Sequence, residues 1–218
     1  MDIFWLGHAG VRFRSGNTSL IMDPFSQGIG LRIPPQQGQA NVVTISSDDP
    51  DHSAVDDLVD EPSHVVINGP GEYEASGMQI KGIRTSRLTG EGETAWNTVY
   101  VVEIEGMSVC HLGNPDRLLT GREVEELGSP HALVLPVGSK RGLSAEDAVE
   151  MVNAISPRIV IPVLYAHSGN KTDLRDIGVF LKELGSKAQE PQTRLTVTRA
   201  ALPEEQLIAQ LQPLGVLL

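Results

Sequence analysis

This chain of 218 residues contains a single cysteine, Cys110, so no internal disulfide can form. That count is expected of a protein kept in a reducing compartment, and the chain is read as cytoplasmic. The neighbours Val109 and Leu112 mark Cys110 as a buried structural thiol. Basic clusters are also scarce. Nothing exceeds the Lys140-Arg141 pair, the formal net charge is -11, and a nucleic-acid partner is not expected. No apolar run approaches the roughly 20 residues of a membrane span, and Met1-Asp2-Ile3-Phe4-Trp5 lacks a basic start, so neither a membrane partner nor export is expected. There is no internal repeat, no phosphate-binding loop, and no serine in a Gly-x-Ser-x-Gly elbow, which removes the usual nucleophile turn of serine hydrolases.

What the chain does have is a series of short apolar or alternating runs in its first half. They span Ile3-Leu6, Gly10-Arg14, Ser19-Met22, Asn41-Ile45, Val65-Ile67, Met78-Ile83, Thr98-Ile104 and Met107-Leu112. Each is closed by Gly, Pro, Asp or Asn, the pattern of β-strands, read here as a meander. Gly106 between two Val/Ile-rich runs predicts a tight hairpin. The polar stretch Leu88 to Ala95 reads as a disordered loop.

After Asn114 the pattern shifts to helices. Thr120 caps a short helix stopped by Gly128, and Ser144 caps a longer one ending before Pro157. Arg158 to Leu164 is a continuous apolar run suited to a strand covered on both faces. A further amphipathic helix is expected over Asp173 to Gly185, a late strand at Thr193 to Val197, and a last helix from Pro203-Glu204-Glu205. Strands followed by strands and helices in one chain of this length predict a single α/β domain over residues 1–218, with sheets covered by helices.

One segment carries candidate chemistry. Ile45-Ser46-Ser47-Asp48-Asp49-Pro50-Asp51-His52 is a polar, acidic turn after an apolar strand and before a helix-like segment, Ser53 to Val59. An Asp-His pair in such a turn is suited to hold a divalent cation.

Several blocks occur together in one order: Trp5-Leu6-Gly7-His8-Ala9, Asp23-Pro24-Phe25, Ser47 to His52, Gly69-Pro70-Gly71-Glu72-Tyr73-Glu74, His111-Leu112-Gly113-Asn114 and Ile161-Pro162-Val163-Leu164-Tyr165. In this the chain resembles the metallo-β-lactamase superfamily, in the branch of small bacterial and archaeal hydrolase-like proteins similar to ascorbate-6-phosphate lactonase. The resemblance implies an αββα sandwich, two facing mixed β-sheets with helices on the outer faces, and a site on loops at one edge. It also implies association into homo-oligomers and action on a small molecule with an ester, lactone or phosphate group.

Active members of that family carry His-x-His-x-Asp-His in the loop after the fourth strand. That motif falls on Ser47, Asp49, Asp51 and His52. The third imidazole ligand matches His111, the bridging carboxylate falls on Asn114 and the last histidine on Leu164. The metal candidates that remain are Asp49, Asp51, His52 and His111, with Asp51 catalytic only if a metal is bound. The positions of Ser47, Asn114 and Leu164 have lost ligand character. The expectation is therefore a degenerate site in an inactive or altered homologue. At most it would hold one weakly bound divalent metal, zinc or manganese, and no metal is the expected state. The competing expectation is a single-metal hydrolase.

Of the other imidazoles, His8 is read as structural or as support behind the ligands. His167 is read as solvated, or as a ligand relocated from the position of Leu164. His64 and His131 are strand-end residues.

Overall fold

The computed structural model describes residues 1–58, 64–88, 94–187 and 190–217. In chain order the elements are β1 Asp2–Gly7, β2 Gly10–Ser15, β3 Thr18–Met22, β4 Leu31–Arg32, β5 Val42–Ile45, α1 Pro50–Ser53, β6 Val65–Asn68, β7 Gly71–Ala75, β8 Met78–Leu88, β9 Thr94–Ile104 and β10 Met107–His111. They continue with α2 Gly121–Leu127, β11 Ala132–Pro136, α3 Ala145–Ile155, β12 Ile159–Val163, α4 Ile177–Leu184, β13 Leu195–Thr196, β14 Leu207–Ile208 and β15 Val216–Leu217.

Two mixed sheets result. One has the order β13-β1-β2-β3-β5-β6 and the other β14-β12-β11-β10-β9-β8-β7, while β15 and β4 form a small separate ribbon. The first sheet is not the expected meander. Strands β3, β5 and β6 run parallel, because the chain crosses over between β3 and β5 through residues 23–41 and again between β5 and β6. Alternation decides which face each residue serves: Leu20, Met22 and Val42 enter the large core, whereas Ile21 and Val43 point to a second cluster with Phe25, Ile29 and Leu31. The outer face of the first sheet is thus sealed by the crossover segment rather than by a long helix. On the second sheet, α3 packs against β11 and α4, burying Ala148, Met151, Val152 and Ile155 at helical spacing. Strands β11 and β12 are buried on every residue, as a parallel strand covered on both faces must be.

Local chemistry explains the boundaries. Thr120 and Ser144 both close full capping boxes, with Glu123 and Asp147. The β9–β10 hairpin turns on Glu105 and Gly106, both with positive φ, and pairs Ile104 with Met107. Gly69-Pro70-Gly71 is the corner at which the chain leaves the edge of the first sheet for the edge of the second. Tyr73 Oη donates to the carbonyls of that corner, and a Cβ on Gly82 would lie 2.7 Å from the Gly69 carbonyl oxygen. Strand β7, absent from the sequence reading, begins at this corner.

Three expected helices change. The helical turn near Ser53 starts earlier, at Pro50, because Asp49 caps it and proline is accommodated in the first turn. Val59 lies outside the described residues. The helix expected from Asp173 starts at Ile177 with Asp176 as cap, since the Arg175 backbone is bonded to Gly138 and Ala166. No helix follows Pro203: Leu207 and Ala209 donate instead to Arg158 and Val160, and the open edge of β12 captures the segment as β14. Of the loop expected at Leu88 to Ala95, residues 89–93 lie outside the described residues, and its ends continue β8 and β9. Cys110 is wholly buried, which pushes its thiol pKa up and keeps it protonated and inert.

Candidate metal centre

Strand ends of both sheets converge on one edge. Asp23 follows the end of β3 with a φ of +52°, and its carboxylate turns inward below the loop that follows β5. The backbone N–H of Ser46 donates to Asp23 Oδ1 at 2.9 Å, the Ser46 hydroxyl donates to Oδ2, and His52 Nδ1 lies 2.8 Å from Oδ2. Burial alone would push the Asp23 carboxyl up. The hydrogen bond from His52, the nearby imidazoles and Ser46 outweigh it and hold the pKa below the ordinary carboxylate range. His52 is therefore oriented by a buried carboxylate, the arrangement that fixes ring direction and tautomer in metal-binding histidines. The sequence reading had placed Asp23 in a shared block without this role. Its signal there was an acid at the end of an apolar strand.

The other candidates are held in different ways. Asp49 caps α1, accepting from the Asp51 N–H at 3.1 Å, and Asp51 accepts from Ser26 Oγ at 3.0 Å. Asn114 approaches Ser47 Oγ and Asp49 Oδ2 through Nδ2 at 3.4 Å each, while its backbone N–H donates to Asn97 Oδ1 at 2.7 Å. Gly113 permits this turn: its φ is +72°, and a Cβ there would lie 2.4 Å from Asn97 Oδ1. His111 is oriented away from ligand duty. Its Nδ1 accepts from the Gly113 N–H at 2.9 Å, which leaves the proton on Nε2 to be donated to the Ala9 carbonyl at 3.0 Å. Burial lowers the His111 pKa, and Asp23 and the Ala9 carbonyl only partly offset it, so the ring is neutral with both nitrogens in use.

Leu164, at the end of β12, has φ of +55° and donates its N–H to the His8 carbonyl at 2.8 Å. His8 is also at positive φ, and its ring centroid lies 5.6 Å from that of His52. Burial, then the neighbouring imidazoles of His52 and His167, lower its pKa to about 3. His167 is half-buried, packs edge-on against Trp5 at 4.9 Å and is not among the residues that line the cleft. His64 and His131 stand immediately before β6 and β11, and His131 Nδ1 accepts from the Ser108 N–H.

A cleft of about 970 Å³ opens over this edge. Asp49, Asp51, His52, Asn114 and Leu164 line it, as do His8 and the cations Arg87, Lys140 and Arg141. His111 does not. Arg87 on β8 and the Lys140-Arg141 pair are distant in sequence, and their shared cleft was not legible before folding. At the positions to which the resemblance assigns ligands, the residues present do not fit a metal pair: Ser47 has a hydroxyl, Asp49 a carboxylate in place of an imidazole, Asn114 an amide, and Leu164 no donor atom. Among the described residues no group of three or more His, Cys, Asp or Glu side chains is placed to hold a metal ion.

Two facing mixed sheets with a polar loop site at one edge define the metallo-β-lactamase class of fold. A family model described as "Beta-lactamase superfamily domain" matches residues 2–164, and the chain belongs to the metallo-β-lactamase superfamily. The chain is similar to a UPF0173 metal-dependent hydrolase of Archaeoglobus fulgidus, 24% identical over 193 residues, the match covering 76% of this chain and 83% of the relative. A namesake from Pelotomaculum thermopropionicum is 25% identical over 193 residues, covering 76% and 84%. A solved structure from Thermotoga maritima, assigned to the metallo-beta-lactamase superfamily, superposes with a TM-score of 0.77 at 30% identity over 96% of this chain and 97% of that one. The metallo hydrolase Igni18 of Ignicoccus hospitalis, at 15% identity and a TM-score of 0.66 over 90% and 99%, supports the fold alone. Among the described residues, no helix is long and apolar enough to cross a membrane.

Proposed function

We propose that this chain keeps the fold and cleft of a metal-dependent hydrolase but does not carry out two-metal hydrolysis, and acts as an altered homologue that binds a small molecule or a subunit partner. The observation that carries this reading is His111. It is the one imidazole matching the family's third ligand, and both of its ring nitrogens are bonded to backbone groups. Asn114 and Leu164 support the reading from two other segments. Four good ligands hold a structural zinc with roughly 10 to 16 kcal/mol, so losing two removes several kcal/mol of metal binding. The single cysteine and acidic balance support a cytoplasmic protein without a nucleic-acid partner.

The Asp23–His52 pair favours a second reading, an active hydrolase of a small ester, lactone or phosphate-bearing substrate with one divalent metal near Asp49, Asp51 and His52. A metal bound there would supply Lewis-acid polarisation or an activated water. Metal content after purification without chelator, followed by competition with a weak chelator, separates the two. Substoichiometric metal that the chelator strips at once is expected; stoichiometric, firmly held zinc, manganese or iron would overturn the first reading.

A further inference from the structure

We propose that the cleft over the altered metal positions holds a small oxyanion, the phosphate or carboxylate group of a small molecule, through Arg87, Arg141, Asn114 and His8. This rests on the reading above that the site carries no metal pair, and it names the chemistry that takes the pair's place.

The inference comes from matching donors with acceptors among the groups lining the cleft. Each carboxylate has at least one partner. Asp49 accepts from the Asp51 N–H, Asp51 from Ser26 Oγ, and Asp173 is paired with Lys140. Asp116 also has an interaction partner. The donors are not supplied. Among the described residues, Arg87 Nε and His8 Nδ1 are buried with no hydrogen-bond partner, and both residues line this one cleft. Asn114 Nδ2 has only two long contacts of 3.4 Å. Arg141 is exposed where it lines the same space.

A buried donor left unpaired is costly, and a ligand oxygen removes that cost. A cation does not, because it needs lone pairs. The position at which the family resemblance implies a carboxylate is held by Asn114, whose amide can donate where a carboxylate only accepts. His8 Nδ1 donates to a ligand in the tautomer that carries its proton there. Guanidinium groups match the planar or tetrahedral oxygens of carboxylates and phosphates. The net charge of -11 and the cleft carboxylates of Asp49, Asp51, Asp116 and Asp173 oppose an approaching anion, so recognition depends on these short-range donors.

The test is calorimetric titration of inorganic phosphate and, separately, acetate into the full chain, both as purified and after chelator treatment. Binding of one or both to the chelator-treated protein is expected at low ionic strength. Arg141→Ala, at an exposed position, should weaken it by about tenfold or more, the size of one charge-assisted hydrogen bond. Arg87→Met should weaken it similarly, with circular dichroism to check folding. Arg84→Ala, which removes a guanidinium stacked on Trp96 outside the cleft, should leave it unchanged. Absence of binding in both preparations overturns the oxyanion site and leaves the metal-poor reading standing. Binding that Arg141→Ala does not alter also overturns the oxyanion site. Binding seen only while a firmly held metal is present overturns both.

Discussion

His52 Nδ1 lies 2.8 Å from Asp23 Oδ2, with both side chains almost wholly enclosed and Ser46 supplying two further donors to the carboxylate. The pair joins the end of β3 to the first turn after β5, so it stabilises the cleft floor whether or not any metal is bound. Its energetic consequences can be measured without knowing the ligand.

Replacing Asp23 with Asn removes a buried, hydrogen-bonded charge and leaves its donors poorly matched. The expected cost is about 3 kcal/mol, read as a lower midpoint in urea unfolding. The folded pKa of Asp23 is depressed, so its carboxylate contributes stability above the unfolded-state pKa, and that contribution is lost as pH falls through the depressed folded value. Asp23→Asn should therefore flatten the acid limb of the stability curve. An unchanged acid limb would show that another group dominates it.

His8 has its folded pKa lowered to about 3, the opposite case from a histidine that gains a partner. The unfolded chain takes up its proton near the ordinary value of about 6.5 while the folded chain does not. Stability from His8 is thus complete above that value and declines as pH falls towards the folded pKa. His8→Asn, which suits the positive φ of 50° at this position, should reduce the loss of thermal stability between neutral and mildly acid pH. Melting temperatures across that range are the check.

Gly113→Ala should cost about 3 kcal/mol. The added Cβ would sit 2.4 Å from Asn97 Oδ1 at a φ of +72°. Equilibrium unfolding measures it, and a near-neutral result would mean that the Asn97 to Asn114 turn relaxes freely.

Restoring Ser47→His, Asp49→His, Asn114→Asp and Leu164→His together should recover two metals per chain, counted by elemental analysis. His111 must first release a backbone hydrogen bond, to Ala9 or from Gly113, at a cost of about 1 kcal/mol that only a restored ligand set offsets. Histidine is also more at ease than leucine at the positive φ of residue 164, whose backbone keeps a shape suited to a different side chain. A variant that folds but stays metal-free would show that these positions are not the ligand positions.

Much of the architecture was legible because it depends on local signals. Thr120 and Ser144 announce their helices through capping chemistry that spans only three residues, and Gly106 marks its hairpin for the same reason. Signals failed where a distant strand competed. The segment after Pro203 reads as a helix start, yet β12 offered unpaired backbone groups and drew it into the sheet. The candidate site divides in the same way. Ser47, Asn114 and Leu164 could be read as poor ligands from residue chemistry alone.

The amino-acid sequence determined the two-sheet domain, the helix caps and the chemistry of the residues at the candidate site, because side-chain chemistry and spacing are properties of the chain itself. Only tertiary structure decided that His111 has both nitrogens engaged, that Asp23 lies behind His52, and that Arg87, Lys140 and Arg141 share one cleft with Asn114. Each of those facts depends on which strand ends meet at the sandwich edge. That is set by sheet order and parallel crossovers, which bring together groups as far apart in the chain as Ala9 and His111.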